Sequence, residues 1–371
     1  MARFSSLLTL VTLSLAGLAS AGNSCIAFDI HWNLLAFGFG GKDYDAGAKD
    51  TWASGTATDI TTSGRPPFDK ANPTCYLAQY FNAIYVLGAD SSKPSSVYIY
   101  DATAKSWSTQ DVNANGFDPN SYNAILDHDT NVFYALSKGE LYSLDMGQLK
   151  AANSTPLAWN DVQNPQLGDY QPVMALAQNH IHFLNVPGVP AGNAKIFVIH
   201  FSYLQPEPQS YGQFPATHGQ VTSFFMESGV QQEFAFIPDD GSATFVINVE
   251  TNTTQTLKGP AAKDPMATYF ASTDSLVQLT SSGSVSYLPY TPGTASANSA
   301  ATWSPVKKLP ALAASGSSSG KPSATGSSTA TGKGASPTGA LGGSNGALAI
   351  SPSAQWSVGG LLAFAIAALF L

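Results

Sequence analysis

The sequence predicts an all-β chain: a β-propeller of about six four-stranded blades, with seven the alternative, followed by a disordered stalk. Three observations carry this expectation. A strand-turn-strand unit recurs along the chain, a tryptophan returns at one place in that unit, and the composition is too poor in charge for long amphipathic helices. Aromatic residues make up 11% and charged residues 11%, against a usual charged share of about 25%, and a surface helix needs a charged face.

The unit is clearest at Val97-Tyr98-Ile99-Tyr100-Asp101-Ala102-Thr103-Ala104-Lys105-Ser106-Trp107, an alternating strand, a tight turn, and a second strand opened by Trp107. The β-branched and aromatic runs 83–88 and 76–80 precede it, and four short strands within about 40 residues make one propeller blade. The same grammar fills four strand slots at 124–126, 132–136, 140–145 and 157–162. It returns at 173–176, 180–184, 196–200 and 210–214, then at 221–226, 233–237, 245–249 and 254–257, and finally at 268–270, 276–279, 285–288 and 303–306. Trp52, Trp107, Trp159 and Trp303 fall at the start of the outer strand, which reads as a packing device. The first unit is the least regular: 25–28 and 33–37 read as strands, and 42–50 as a long polar loop, as befits a terminal repeat that latches a ring.

An apolar strand ending in Gly, a polar loop, Tyr-x-Tyr-Asp over Tyr98–Asp101, and Trp107 six residues after Asp101 resemble a Kelch repeat. The glycine doublet of that pattern is Gly88-Ala89 here and Gly40-Gly41 in the first unit. The resemblance implies a propeller, and through its galactose-oxidase relatives it raises copper chemistry. That chemistry needs a free Cys cross-linked to Tyr, and the chain has two cysteines.

Those two are expected to pair. Residues 1–21, with Arg3, an apolar core and Ala19-Ser20-Ala21, read as a secretory signal peptide, and an oxidising compartment favours a Cys25–Cys75 bridge. In the chain-entropy model a closed loop of about 50 residues stabilises by about 4 kcal/mol. The bridge would tie the N-terminal strand to the next blade and help close the ring. Residues 22–310 form the expected propeller domain. Asn153-Ser154-Thr155 and Asn252-Thr253-Thr254 are N-glycosylation sequons in loop or outer-strand positions.

From 311 to 344 the chain is Ser, Thr, Gly, Ala and Pro, too apolar-poor to fold, and reads as an O-glycosylated stalk. Residues 345–371 read as a GPI attachment signal removed on maturation. Asn345-Gly346-Ala347 offers small residues at the attachment site, with Asn345 as the attachment residue and Ser344 the alternative; a spacer over 348–357 and an apolar tail from Val358 follow. As a helix that tail would be about 21 Å long, short of a roughly 30 Å hydrocarbon core, and no Lys or Arg follows it. A tail-anchored helix is the other reading. Signal, head, stalk and anchor together resemble fungal GPI-anchored surface proteins, so the protein is expected outside the cell, on the plasma membrane or in the wall, touching membrane through the lipid alone.

The formal charge of −8, and Arg65 as the one arginine after the signal peptide, argue against nucleic acid. Candidate ligand contacts come from the inter-blade loops: Asp69, Phe117, Asp118, Asp169, Tyr170 and Asp264. Carboxylates beside aromatic faces bind a sugar or a cation, whereas Asp next to Pro is also ordinary turn chemistry. His180 and His182 lie two apart on a strand and point the same way, but no cluster with ligand spacing surrounds them. No catalytic residue, metal site or cofactor is assigned. No Gly-x-Ser-x-Gly elbow follows a strand, and no sialidase-type Ser-x-Asp-x-Gly-x-x-Trp box and no arginine per blade is present. The expected function is a non-enzymatic binding or structural module for wall polysaccharide or a surface protein. The alternatives are a carbohydrate-active or lactone-hydrolysing propeller using carboxylates such as Asp118, Asp169 and Asp264, and a passive coat.

Overall fold

A computed structural model describes residues 23–168 and 170–312. The signal peptide, the stalk beyond 312, the attachment signal with Ser344 and Asn345, and Asp169 lie outside the described residues. Among the described residues the sheets are six four-stranded antiparallel blades and one two-stranded parallel ladder; the blades are made of strands consecutive in sequence except in blade three, where a strand of the ladder intervenes before the outer strand.

Blade one comprises Cys25–Phe28, Leu34–Phe39, Lys42–Gly47 and Thr58–Asp59; blade two Thr74–Ala78, Ala83–Leu87, Val97–Asp101 and Ser106–Gln110. Blade three comprises Asn123–Asp127, Val132–Ser137, Glu140–Asp145 and Asn160–Gln163. In blade four Val173–Ala177, His180–Leu184 and Asn193–Val198 are followed by an outer position shared between Tyr203–Leu204 and Gln209–Ser210. Blade five has Gly219–Ser223, Glu233–Pro238, Ala243–Asn248 and Thr253–Lys258; blade six has Thr268–Ala271, Ser275–Leu279, Val285–Pro289 and Ser304–Pro305.

Second strands such as Leu34–Phe39 and Ala83–Leu87 are buried along their whole length. They read as unbroken apolar runs because a neighbouring blade covers each of their faces. The outer strand Ser106–Gln110 is less covered, with Trp107 and Gln110 buried and the residues between them partly exposed. The apolar side chains accordingly gather in six clusters, one at each junction between successive blades, including the junction of six with one.

The tryptophans act at these junctions. Trp107 packs edge-on against Phe37 of blade one at 5.1 Å, and Trp159 is buried where blade three meets blade two, stacked on Phe117 at 4.1 Å. Trp52, fully buried in blade one, meets Tyr287 of blade six at 4.9 Å. Blade six thus stands to blade one as blade one stands to blade two, and the repeat closes the ring with its own contact.

Hydrogen bonds reinforce this seam. Beyond the last strand the chain turns back to blade one: Lys307 N donates to Trp52 O and Ala57 N to Lys308 O, both at 2.9 Å, while Val306 and Leu309 fill the junction. Lys49 of blade one also pairs with Asp274 of blade six. The Cys25–Cys75 disulfide is present, with Cα atoms 5.7 Å apart. It joins the innermost strands of blades one and two, so it ties the N-terminal strand to the next blade but does not bridge the seam.

Five departures from the sequence expectation stand out: Trp52 closes the turn at Lys49–Thr51 and lies six residues before the outer strand Thr58–Asp59, Tyr211–Phe214 is not strand but follows the short strand Gln209–Ser210, and three further segments differ. Within 42–50, Lys42–Gly47 is a strand rather than a loop, followed by a single turn at Lys49–Thr51. Its polar character is misleading because Asp43, with no exposed surface, is neutralised in place: Arg65 Nε donates to Oδ2 at 2.9 Å, Arg65 Nη2 to Oδ1 at 2.8 Å, and Gly38 N to Oδ1 at 2.9 Å. Gly38 is required there; at φ +72° a Cβ would lie 2.6 Å from Asn23 O and 2.7 Å from the Phe68 ring. In the fourth slot of blade three, Leu157–Ala158 leaves the blade to pair in parallel with Val112–Asn113. In the first slot of blade five, Phe224 to Met226 lies beyond the strand end at Ser223.

Removing Arg65 leaves Asp43 as a buried, unpaired charge. Arg65→Met is therefore expected to destabilise the propeller by about 3–5 kcal/mol in urea unfolding, whereas Lys42→Met, which breaks the exposed Lys42–Asp59 pair, should leave the midpoint almost unchanged.

Candidate binding cup

Antiparallel strands in consecutive order send the connections between second and third strands, and those from each outer strand to the next blade, to one face. On that face the centre of the ring opens as a cavity of about 580 Å³. Its mouth is lined by inter-blade residues, among them Lys70, Asn120, Gln171, His218 and Met266, and its wall by first strands of blades two to six. Cys75 stands in that wall, so the disulfide fixes the wall where blade two meets blade one.

The other end of the channel is blocked. Residues 224–232, between the first two strands of blade five, cross beneath the centre, and Phe225 and Gln231 line the cavity from below. The loop touches each of the other blades. Trp32 Nε1 of blade one donates to Glu227 at 3.3 Å, Gln79 Nε2 of blade two donates to Met226 O at 3.0 Å, and Gln178 N of blade four donates to Gln231 O at 2.7 Å. Phe225 stacks on Phe270 of blade six at 6.1 Å and 5° and meets His128 of blade three edge-on at 5.6 Å. The channel is thereby a blind cup.

The chemistry of the cup is neutral and polar. Asn123, Gln220 and Thr268 stand in the wall with the phenols of Tyr76, Tyr122 and Tyr269, and burial pushes all three phenols well above their ordinary range, so they remain protonated. Thr268 Oγ1 and the floor amide oxygen Gln231 Oε1 are buried without a hydrogen-bond partner among the described residues. Of the charges that reach the mouth, Lys70 Nζ donates to Pro119 O at 2.7 Å and His218 Nδ1 lies 2.7 Å from Asp239 Oδ2, while Asp239 Oδ1 is buried without a partner among the described residues. Below the floor, burial lowers the proton affinity of the His128 imidazole and raises that of the Asp127 carboxyl.

The described candidates read from the inter-blade loops, Asp69, Phe117, Asp118, Tyr170 and Asp264, do not line this cup. Phe117 is a correction: it is 5% exposed, stacked on Trp159 and edge-on to Tyr142, a core residue between blades two and three. Asp69 accepts from the backbone N and hydroxyl of Ser91, both at 2.8 Å. Asp118 accepts from Asn120 N at 3.0 Å and pairs with Lys138 Nζ at 3.0 Å, contacts that hold its carboxyl below the usual range. Asp264 accepts from Met266 N at 2.9 Å and Ser281 N at 2.6 Å, and against the opposing effect of burial these amides hold its carboxyl low. Each aspartate thus pins its inter-blade loop to the hairpin of the blade it enters, which is turn chemistry. Tyr170 is partly buried against the junction of blades three and four, and burial raises its phenol.

His182 is buried, with Nε2 3.0 Å from Tyr211 OH and the ring against Phe234 at 5.5 Å; His180 Nδ1 bonds to Gln178 O. Both are packing residues, and among the described residues no three His, Cys, Asp or Glu side chains cluster as metal ligands. The polar residues of the cup outside its rim are amides and hydroxyls, set among aliphatic and aromatic side chains such as Leu77, Met174 and Phe270. Such types carry no spacing signature, and only their common place at the start of each first strand marked them.

No family model matches the sequence, and no curated protein matches it. Among solved structures, a chain in the crystal structure of a nidogen/laminin complex is similar at 11% identity with a TM-score of 0.40, over 64% of this chain and 79% of that one.

Burial lowers the proton affinity of His182 from 6.5 to about 3. As pH falls below about 6.5 the unfolded chain takes up this proton before the folded one, so stability present at neutral pH is lost between about 6.5 and about 3. From pH 6.5 to 5 the loss from His182 amounts to about 2 kcal/mol. Thermal unfolding of the wild type should be shifted down over that range more than that of His182→Gln.

Proposed function

We propose that the chain is an extracellular propeller of Kelch-like repeat type, held at the cell surface by a GPI anchor, and that it acts as a non-enzymatic binding module whose ligand enters the cup. The observation that carries this reading is the blind cup itself. It is a preformed concavity within the 300–1,000 Å³ range of small-ligand pockets, with a rim pinned by Asp69, Asp118 and Asp264 and polar atoms left free inside. Wall polysaccharide is the first ligand class, and a surface protein presenting a side chain or loop is the second.

The two sequons fit this orientation. Asn153 and Asn252 are both exposed, in connections between third and fourth strands, which belong to the face opposite the mouth. Glycans there would leave the cup uncovered.

An enzymatic reading has one specific support. The His218–Asp239 pair at the mouth has the arrangement of an imidazole oriented by a carboxylate, which is how a general base is held. A carbohydrate-active or lactone-hydrolysing activity would run through this pair rather than through Asp118 or Asp264, which are committed to the loops.

Two measurements test the proposal. Full-length protein expressed in a fungal host should be released from the cell surface by phosphatidylinositol-specific phospholipase C, and retention in the cell pellet insensitive to both this lipase and wall-digesting glucanases would overturn the anchor. A fluorescently labelled preparation screened on wall glycans and surface proteins should give saturable binding that Met266→Glu at the mouth weakens by tenfold or more. Turnover of a bound sugar or lactone that is lost in His218→Gln would replace the binding reading with the enzymatic one.

A further inference from the structure

We infer that the cup receives the end of an uncharged glycan chain, inserted end-on, rather than a stretch from the middle of a polymer. This rests on the reading of the cup as the ligand site and adds to it the class of ligand and its mode of entry.

Geometry decides the mode of entry. A polymer threading the ring would need an exit, and the exit is occupied by residues 224–232, hydrogen-bonded or packed to every other blade. A polymer lying across the mouth would leave the depth of the cup unfilled. An end alone reaches Phe225 and Gln231 at the floor.

The lining decides the chemistry. Thr268 Oγ1 is buried and unpartnered among the described residues, and so is Gln231 Oε1, although the Gln231 side chain, 4% exposed, lies against the His128 imidazole below the floor. A buried polar atom left unpaired is unfavourable, so a ligand that supplies the missing partner gains affinity. Higher on the wall, Asn123 and Gln220 line the cup, and their carboxamides are free of intramolecular hydrogen bonds among the described residues. A carboxamide both donates and accepts, as does a sugar hydroxyl, and neither carries charge. Phe225, 8% exposed and stacked on Phe270, closes the floor with an apolar surface.

Charged ends are disfavoured by the same inventory. Lys70, the lysine at the mouth, is turned to Pro119 O, and His218 is bound to Asp239. A carboxylate- or phosphate-bearing terminus would lose its hydration without gaining an unengaged counter-charge.

The test compares linear with endless sugars. Full-length protein is titrated with linear gluco-, manno- and chito-oligosaccharides, with cyclic glucans built of the same glucose units, and with linear oligogalacturonate. At least one neutral linear series is expected to bind, its cyclic or acidic counterpart at least tenfold more weakly. Gln220→Leu and Gln231→Leu are each expected to lower the affinity roughly tenfold, one hydrogen bond apiece. Gln220 lies on the wall, so its variant reports on binding should Gln231→Leu disturb the floor. Cyclic glucan binding as tightly as linear, with Gln220→Leu still weakening both, overturns end-on entry and leaves the cup as the site. Neutral sugars bound equally by wild type, Gln220→Leu and Asn123→Leu overturn the cup itself. Preference for oligogalacturonate, or binding to none of the sugars, overturns the assignment of an uncharged glycan.

Discussion

No blade of this protein covers its own apolar faces. Each buries them against the blades on either side, so the whole structure depends on the junction where the last blade meets the first. From blade one through to blade six the chain itself supplies the neighbour in sequence. Between six and one it supplies a repeat of the same wedge, Trp52 on Tyr287, and a return of the chain at Val306 to Leu309 that shares hydrogen bonds with Trp52 and Ala57. Rings that exchange a strand between their ends close by a sheet ladder; here every blade is drawn from one stretch of the chain, and side-chain packing takes that part.

Closure then dictates where chemistry is placed. Six twisted sheets around an axis leave a central space, and the first strands expose one residue in two to it. In this chain the space is stopped at one end by the long loop of blade five and kept open at the other. Carboxylates near the opening are spent on turns, and the side chains that stay uncommitted are amides and hydroxyls. The balance of the cup toward neutral ligands follows from that division.

Much of the architecture is legible in the sequence. The Val97 to Trp107 unit announces its strand pair because alternation, turn residues and the buried aromatic agree, and Trp52, Trp107 and Trp159 mark the junctions they fill. The strand Lys42–Gly47 is illegible because its central Asp43 is made apolar in effect by Arg65, twenty-two residues away in sequence. Phe224 to Met226 looks like strand because a plug that packs in the middle of a ring needs the same apolar residues as a strand. Phe117 next to Asp118 looks like a sugar platform, and only the tertiary packing with Trp159 shows that its face is taken. Gln220 and Gln231 carry no signal at all, since a glutamine is notable only when its surroundings leave it unpaired.

The strap that seals the ring is also the last described segment of the chain: Val306 and Leu309 lie in the six-to-one junction, and Leu312 packs beside them. Any tension transmitted along the polypeptide beyond Leu312 therefore arrives first at that junction, before it reaches any other part of the ring. Under load the propeller would part at this joint, like a clasp pulled by its own cord. Blades one and two, bolted through Cys25 and Cys75, would stay together on one side of the opening. The six-to-one junction is thus the first part of the ring to feel a pull on the chain beyond Leu312.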